Sequence, residues 1–376
     1  MKKMNLKKFL ISFMILVSFS PAFSLDFSEF SKSDESSWVA LEKARLNYQN
    51  KDFGEALDGV LRAKDLKREE IQGALNILNE ALSYEAVRRI GDDIVRIREK
   101  LEERKSYKAL MVLDEVFVSK NPGDFGNSMK NLLTWLQGLV SFPEALFLEG
   151  NIYSAEGEFK LAQEYYSLAW ENNIYFDIPD EKYSLLYKIA DLADFTGDTE
   201  KKEQALLLVV SGDPVFALPG NETGILLSMK KNLSRKENLE SFFLLYRHDK
   251  WFALKAYHDL AEYYYGVEGG TMERAFTCSM LASSIIVTKL SYALSDREVD
   301  WHYKDLKNLL KTISRHPEIL VWMDENKCWE TLLLFGDILN LRGNDTLAFN
   351  LFEIVSETSV DEDVRVGALR RLLNWN

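Results

Sequence analysis

The same spacing of small and large residues occurs three times along this chain, and that repetition constrains the fold more than any other feature. In the segment 145–173, Gly150 is followed by Ala162, Tyr166 and Ala169 at offsets of 12, 16 and 19 residues. The same offsets recur nearer the two ends of the chain, at Gly336, Ala348, Phe352 and Val355 and at Ala44, Ala56, Val60 and Ala63. Three occurrences of one spacing indicate an internal structural repeat.

A pair of antiparallel helices joined by a tight turn accounts for these offsets, each helix being about 12 to 14 residues long. Small residues permit close approach where the helices cross, and large residues fill the space beside the crossing. The segments 50–52, 156–158 and 342–344 supply glycine or turn-tolerant residues where the first helix of each pair ends. One helix pair cannot bury its own apolar face, so the copies are expected to stack as an α-solenoid.

Helical periodicity also extends beyond the repeats. Apolar residues recur at spacings of three and four, as at Leu132, Trp135, Leu136 and Leu139, whereas sustained strand-type alternation is absent from the sequence. Most prolines lie where the periodic pattern breaks or where a new run starts. The predicted fold class is therefore all-α.

The repeated segments resemble tetratricopeptide repeats, a 34-residue helix-turn-helix family with small residues at three fixed positions. The resemblance implies a right-handed α-solenoid over residues 37–360, and another α-solenoid or a helical bundle is the alternative. Looser copies, some of them degenerate, lie at 90–122, 183–214 and 256–282. The helical segments that match no copy well are 71–87, 123–142, 223–250 and 286–325.

The two ends of the chain have separate predicted roles. Residues 1–24 carry four lysines before an apolar run, and Ala22 and Ser24 suit cleavage before Leu25, which is typical of a secretory signal peptide. An uncleaved anchor is the alternative, although the run is shorter than a bilayer span. Residues 25–36 are interpreted as a flexible lead-in with little to bury. Residues 361–376 are interpreted as a capping helix whose polar outer face includes Arg365, Arg370 and Arg371.

Charge and cysteine content exclude several classes of protein. The net charge is −13, and without the four lysines of residues 1–24 there remain 42 basic and 59 acidic residues, a charge of −17. Binding to nucleic acid or to an anionic membrane surface is disfavoured by that excess. Two cysteines in 376 residues exclude a disulfide framework. Whether Cys278 and Cys328 pair stays open, and two buried thiols on different helices are the favoured interpretation.

No catalytic or metal motif is recognisable. The four histidines do not pair at i and i+4, and the sequence lacks an H-E-x-x-H, a C-x-x-C, a phosphate loop and a G-x-S-x-G elbow. The prediction is therefore a protein that is not an enzyme and has no metal or cofactor, with a carboxylate-paired glycosidase as a remote alternative. The basic cluster Lys230, Lys231, Arg235 and Lys236 is interpreted as a solvated helix end.

The resemblance also implies where a partner binds, because such repeats line a concave groove with fixed positions of each first helix. Carried over position by position, these are Trp38, Leu41, Arg45, Tyr48, Phe147, Asn151, Ser154, Tyr187, Asp191, Asp194, Leu333, Asp337 and Asn340. Aromatic side chains mixed with carboxylates suit an extended peptide with apolar anchors and some basic residues. Replacing Asn151 by alanine is expected to be nearly neutral for folding.

The functional hypothesis is an exported scaffold or adaptor of the cell envelope, located in a bacterial periplasm. It would bind other envelope proteins or peptides through the concave face and have no stable membrane span after signal cleavage. Binding of a small molecule or glycan between helices is the alternative. The partner's identity and the oligomeric state are left open by the sequence.

Overall fold

The computed structural model describes residues 25–31, 33, 35–213, 252–266, 272–298 and 301–375. Within these ranges every regular element is a helix, and the sole strand-like feature is an isolated bridge between Asp93 and Ser128. The all-α helical-repeat fold is thereby confirmed, while the handedness of the solenoid remains a prediction. The predicted signal peptide and the basic cluster at 230–236 lie outside the described residues.

The chain divides into two compact units, Met1–Leu192 and Ala193–Asn376. Helix α9 begins in the first unit and ends in the second. The helices of the first unit are α1 (Ser37–Gln49), α2 (Phe53–Ser83), α3 (Glu85–Arg88), α4 (Ile94–Glu103), α5 (Tyr107–Ser119), α6 (Met129–Gly138), α7 (Pro143–Glu156), α8 (Phe159–Glu171) and α9 (Glu181–Thr196).

The predicted repeat pairs are present at α1–α2 and α7–α8. Gly157, in the left-handed region at φ +84°, ends α7 and lets the chain reverse into α8. A Cβ built on Gly59 of α2 would lie 2.9 Å from the Cβ of Ala44 in α1. Both helix crossings are therefore as close as the small residues in the sequence predict.

Helix α2 is 31 residues long, about twice the length that a repeat needs, and its two halves have different neighbours. The first half forms one core with α1 and α7, through Ala56, Val60, Ala63 and Leu66 on α2, Ala40, Leu41 and Ala44 on α1, and Ala145, Leu148 and Ile152 on α7. The second half, from Ile71 to Ala81, forms another core with α3 to α6.

The first and third copies of the repeat are consequently neighbours in space. Residues 71–142 form an excursion between them, and the loosely matching copy at 90–122 lies in this excursion as α4 and α5. The unmatched segment 123–142 also belongs to this excursion, and its helix α6 packs against the second half of α2. Both poorly matching segments therefore have packing partners other than a neighbouring repeat.

The lead-in has more to bury than the sequence suggested. Leu25 and Phe27 are buried in the core of the excursion, and the amide N–H of Asp26 donates to Glu115 Oε1 at 2.9 Å. A Cβ on Gly73 of α2 would lie 2.0 Å from the carbonyl oxygen of Phe30. Residues 25–30 are thus held in the core of the excursion by apolar burial. The many serines and acidic residues around them gave no indication of this in the sequence.

The second unit contains the last turn of α9 and eight described helices. These are α10 (Thr199–Val210), α11 (Ala253–Gly266), α12 (Met272–Ser295), α13 (Leu306–Ile313), α14 (Pro317–Glu325), α15 (Cys328–Leu341), α16 (Asp345–Thr358) and α17 (Glu362–Leu373). Helix α11 packs on α12, α12 on α15, α15 on α16 and α16 on α17. The predicted copy at 332–355 is the α15–α16 pair, and the predicted capping helix is α17.

Helix α12 is the one helix in the described part of the chain that is long and apolar enough to cross a membrane. Within the protein, however, 72% of its most apolar window is buried, as in the core helix of a folded unit. Cys278 on α12 and Cys328 on α15 are both buried, in agreement with the favoured interpretation of two buried thiols on different helices. Burial raises the pKa of the Cys328 thiol, which keeps it protonated.

Candidate partner-binding groove

The predicted groove positions of the first unit lie on its three repeat-type first helices, α1, α7 and α9. Most of them are half-buried or exposed. Leu41 is an exception, since it is fully buried in the core between α1 and α2. Leu333 of α15 is likewise buried in the second unit. Assigning these two leucines to a partner surface was wrong, because their helix positions point to the neighbouring helix.

The hydroxyl of Tyr166, on α8, joins four of the predicted groove residues. It donates to Asn151 Oδ1 at 2.9 Å and is also hydrogen-bonded to Ser154, both on α7. Burial is the largest effect and raises the pKa of Tyr166, the bond with Ser154 lowers it, and the nearby Tyr48 and Asp191 raise it again. Three first helices thus bring polar groups to one buried hydroxyl.

Asn151 is consequently not a free groove residue. Its carbonyl oxygen satisfies the Tyr166 hydroxyl, and a buried hydroxyl that loses its acceptor costs about 1 to 3 kcal/mol. The expectation that an alanine here is neutral for folding therefore does not hold. Spacing alone gave no sign of it, because the tyrosine that bonds Asn151 comes from the following helix.

Trp38 and Arg45, two more predicted groove residues, are engaged by the segment that leads into α9. The indole N–H of Trp38 donates to Asp177 Oδ2 at 3.0 Å, and Arg45 pairs with Glu181 at 3.4 Å. The guanidinium of Arg45 also lies 5.8 Å from the centre of the Trp38 ring. Both side chains therefore connect α1 to α9 as well as lining its surface.

Phe147 and Tyr187 supply the half-buried aromatic surface of the groove. The ring of Phe147 lies 6.0 Å from that of Tyr166, tilted by 59°. Tyr187 is one helical turn before Asp191 on α9, so the two are neighbours on that helix. Asp191 is exposed, so an aromatic ring and a carboxylate lie one turn apart on α9.

A buried cluster of charged residues, which the sequence analysis missed, lies under this face. The Lys67 ammonium is 3.6 Å from Asp177 Oδ2 and 5.1 Å from the centre of the Phe142 ring. Glu144 Oε1 accepts the backbone N–H of Asp177 at 2.6 Å. Burial, followed by the charge of Asp177, raises the pKa of Glu144 to about 8. These contacts join α2, α7 and the segment before α9.

A second buried acid on α2 holds the start of α1. Glu70 accepts both the backbone N–H and the hydroxyl of Ser37, each at 2.7 Å. A signal for this cluster existed in the sequence, because Lys67 and Glu70 fall on the apolar stripe that runs through Ala63 and Ala74. Charged residues on such a stripe are either paired or functional.

The predicted groove residues of the second unit are arranged differently. Asp337 forms a bidentate ion pair with Arg371, with both N···O distances 2.7 Å, and Asn340 is exposed. Asp194 pairs with Lys202 at 2.6 Å. Asp337 and Asn340 share a cleft of about 540 Å³ whose other lining residues are Asp345, Phe352, Gly367, Arg370, Arg371, Asn374 and Trp375.

A further group of titratable side chains lies on α11. A ring nitrogen of His258 and carboxylate oxygens of Asp259 and Glu262 are all within 4.8 Å of one another. His258 is buried, Asp259 is half-buried and Glu262 is exposed. These are residues able to hold a metal ion. The sequence predicted no metal site, because it has no pair of histidines at the spacing of a metal motif.

Comparison with known proteins identifies a relative of similar length. No family model matches the chain. A protein of Treponema pallidum (strain Nichols), described as an uncharacterized protein, is 32% identical over 323 residues, which is 86% of this chain and 86% of the relative. The aligned stretch thus covers most of both proteins. The chain therefore belongs to the same protein family as the Treponema pallidum protein.

Proposed function

We propose that the protein is a non-enzymatic scaffold that binds other proteins or peptides along the face of α1, α7 and α9. The hydrogen bond from the Tyr166 hydroxyl to Asn151, with Ser154, Tyr48 and Asp191 near enough to influence the pKa of Tyr166, carries this proposal. Those four residues occupy positions that resemble the groove positions of tetratricopeptide repeats. Three first helices that present such positions side by side provide a continuous surface for an extended ligand.

The chemistry of this surface favours a peptide with apolar anchors and basic residues. Phe147 and Tyr187 provide half-buried aromatic surface, and aromatic residues dominate binding energy at protein interfaces. Asp191 is exposed beside them, and the net charge of −13 favours cationic partners. Trp38 and Arg45 are held by Asp177 and Glu181, so their contribution is to shape the surface.

We further propose that the protein acts in an exported compartment, most simply a bacterial periplasm. The lysines and apolar run of residues 1–24, with small residues before Leu25, support this location. The partner would accordingly be a protein or peptide of the cell envelope. Fusion of residues 1–24 to a reporter that is active only after export tests the location, and a reporter that stays inside the cell contradicts it.

Affinity purification from crosslinked cells, followed by mass spectrometry, tests the binding proposal. The groove variant combines Tyr187→Ala with Asp191→Lys on α9. The matched control combines Leu168→Ala with Glu164→Lys on α8, where both side chains are exposed. Both variants change the net charge by the same amount, and each truncates one large side chain that is exposed or half-buried.

We expect an envelope protein to be recovered with the natural chain and the control, and to fall at least about tenfold with the groove variant. Circular dichroism must show that both variants keep their helical content. Equal recovery with both variants would contradict the proposed surface. Absence of any specific protein would contradict the scaffold role.

The cleft of about 540 Å³ in the second unit favours a second candidate function, the binding of a small polar ligand or glycan. Trp375 offers an aromatic face, and Arg370, Asn340 and Asn374 offer polar groups around it. A thermal-shift screen against sugars and metabolites tests this, because a specific ligand raises the unfolding midpoint by mass action. Trp375→Ala should abolish any such shift if the cleft is the site.

A further inference from the structure

Helix α11 carries a buried histidine, His258, whose tautomer depends on a hydrogen bond with the neighbouring helix α15. The hydroxyl of Thr331, on α15, lies 2.8 Å from the carbonyl oxygen of Lys327 and 3.0 Å from Nδ1 of His258. A carbonyl oxygen only accepts, so both contacts are hydrogen bonds only when the hydroxyl hydrogen is donated to Lys327. In that arrangement Nδ1 of His258 carries a hydrogen and donates it to Thr331.

The tautomer that follows leaves Nε2 of His258 with a free lone pair, the form in which imidazole binds a metal ion. Ligating histidines characteristically donate their other ring N–H to a second-shell oxygen, which fixes the orientation of the ring. Thr331 has this role here, and it is buried. This observation is independent of the carboxylates near the histidine.

Two carboxylates complete a ligand set on the same helix. Asp259 and Glu262 follow His258 by one and four residues, and a ring nitrogen of His258 and a carboxylate oxygen of each acid lie within 4.8 Å of one another. Ligands of one tetrahedral Zn²⁺ at ordinary bond lengths are about 3.4 Å apart. Glu262 is exposed, so its side chain has room to change rotamer on binding an ion.

The surrounding charge favours a dication. Glu330 lies near enough to influence His258 electrostatically, as do Glu262 and the opposing cation Lys327. With Asp259 this amounts to three carboxylates and one ammonium around one neutral imidazole. One nitrogen and two carboxylate oxygens, with a position left for water, match the ligand number of an open zinc site.

We propose that His258, Asp259 and Glu262 form a binding site for a divalent transition-metal ion, Zn²⁺ being the best match, with Thr331 orienting the histidine. The site is independent of the proposed groove, since all its residues belong to the second unit. It adds a ligand to a chain whose sequence shows no zinc motif.

Titration of the purified, chelator-treated protein with ZnCl₂, followed by calorimetry, tests the proposal. Histidine-selective ¹⁵N spectra provide a second readout, because only four histidines are present. Before zinc is added, His258 should show the Nδ1–H tautomer. One equivalent of zinc should then shift its Nε2 resonance, while the resonances of His302 and His316 stay in place.

The variants separate ligation from folding. Glu262→Gln and Asp259→Asn change side chains that are not buried, and each should weaken zinc binding about 10 to 100 fold, while Thr331→Val should weaken it less. His316→Gln is the matched control, because His316 also lies beside two carboxylates, Glu298 and Glu318. Its zinc affinity should equal that of the natural chain. Glu262→Gln, Asp259→Asn and His316→Gln must each keep the unfolding midpoint of the natural chain when a chelator is present.

The opposite results would overturn the site. A dissociation constant above about 1 mM for zinc would do so, as would an Nε2–H tautomer of His258 in the metal-free protein. Natural zinc affinity in both Glu262→Gln and Asp259→Asn, or loss of zinc binding in His316→Gln, would also do so. His258→Gln alone is not decisive, since a buried substitution can unfold the second unit. The two carboxylate variants and the tautomer decide the question without it.

Discussion

Gly150 of α7 lies against the ring of Tyr166 of α8, so closely that a Cβ on the glycine would be 2.4 Å from two ring carbons. Gly336 and Phe352 repeat this relationship in the second unit, where the corresponding distance is also 2.4 Å. In α1 and α2, Ala44 and Val60 have the same offset and belong to one core, and the close approach there is between Ala44 and Gly59. The offset of 16 residues seen in the sequence is therefore the spacing between two residues that lie against each other where paired helices cross.

Gly150→Ala should destabilise the protein although alanine is the better helix former. Overpacking against the buried Tyr166 ring costs roughly 1 to 3 kcal/mol, more than the ~1 kcal/mol that alanine contributes in a helix. Urea unfolding followed by circular dichroism measures the change. Gly54→Ala on α2 is the control, because nothing lies within 4 Å of its added Cβ, and it should be neutral or stabilising. Equal effects of the two substitutions would contradict the close crossing.

Asn151→Ala and Tyr166→Phe should not have additive effects. Each substitution removes one side of the same 2.9 Å hydrogen bond, so the double variant should be more stable than the sum predicts by about 1 kcal/mol. Unfolding free energies of the four proteins of the cycle measure the coupling. Asn172→Ala, just after the end of α8, is the control and should show no coupling to Tyr166→Phe, because the Asn172 side chain donates to the carbonyl of Leu168. Additivity within error would mean that the hydroxyl depends on Ser154 instead.

Lys67→Met should be strongly destabilising because it leaves the buried Asp177 carboxylate without its cation. Removing one partner of a buried pair costs about 3 to 5 kcal/mol. Adding Asp177→Asn should restore much of the loss, since the amide oxygen can still accept from Trp38. Thermal unfolding of the single and double variants gives the comparison. A double variant less stable than Lys67→Met would show that the charge of Asp177 is satisfied elsewhere.

Glu144→Gln should change the dependence of stability on pH. The folded-state pKa of Glu144 is raised from 4.5 to about 8, so the folded protein holds a proton that the unfolded chain releases. Between about pH 4.5 and pH 8 this lowers stability as pH rises, by about 1.4 kcal/mol per pH unit for one such proton. Glutamine removes this contribution.

The variant should accordingly resemble the natural chain at pH 4.5 and be the more stable of the two at pH 8.5. Urea midpoints measured across this range check the sign. Glu164→Gln, an exposed change on α8, is the control and should follow the natural chain at every pH. A natural chain whose midpoint rises between pH 5 and pH 8 relative to Glu144→Gln would contradict a protonated, buried Glu144.

The repeat geometry followed from the sequence because it depends on residue size at fixed spacing. Ala162 and Tyr166 are four residues apart, so the geometry of α8 places them on one face, and the tight turn at Gly157 brings that face against Gly150 of α7. The same reasoning located α15 and α16 from Gly336 and Phe352. Local helix geometry needs no information from distant parts of the chain, which is why these pairs were predictable.

The long helix α2 shows where such reasoning ends. Its apolar stripe continues past Leu66 to Ile71 and Leu78, but the stripe does not say which helices cover it. Only the tertiary structure separates the neighbours of the two halves and makes residues 71–142 an excursion. The burial of Leu25 and Phe27 is another such case, since their partners lie about 50 or more residues away on α2 and beyond.

The sequence by itself determined the all-α class, the helix pairs and the residues that face one another within each pair, because these depend on local spacing and residue volume. Only the tertiary structure decided that Lys67, Glu144 and Asp177 form one buried cluster, that Tyr166 gathers Asn151 and Asp191, and that Thr331 orients His258. Charged and polar groups on different helices acquire their partners, and their pKa values, only when packing removes water from between them.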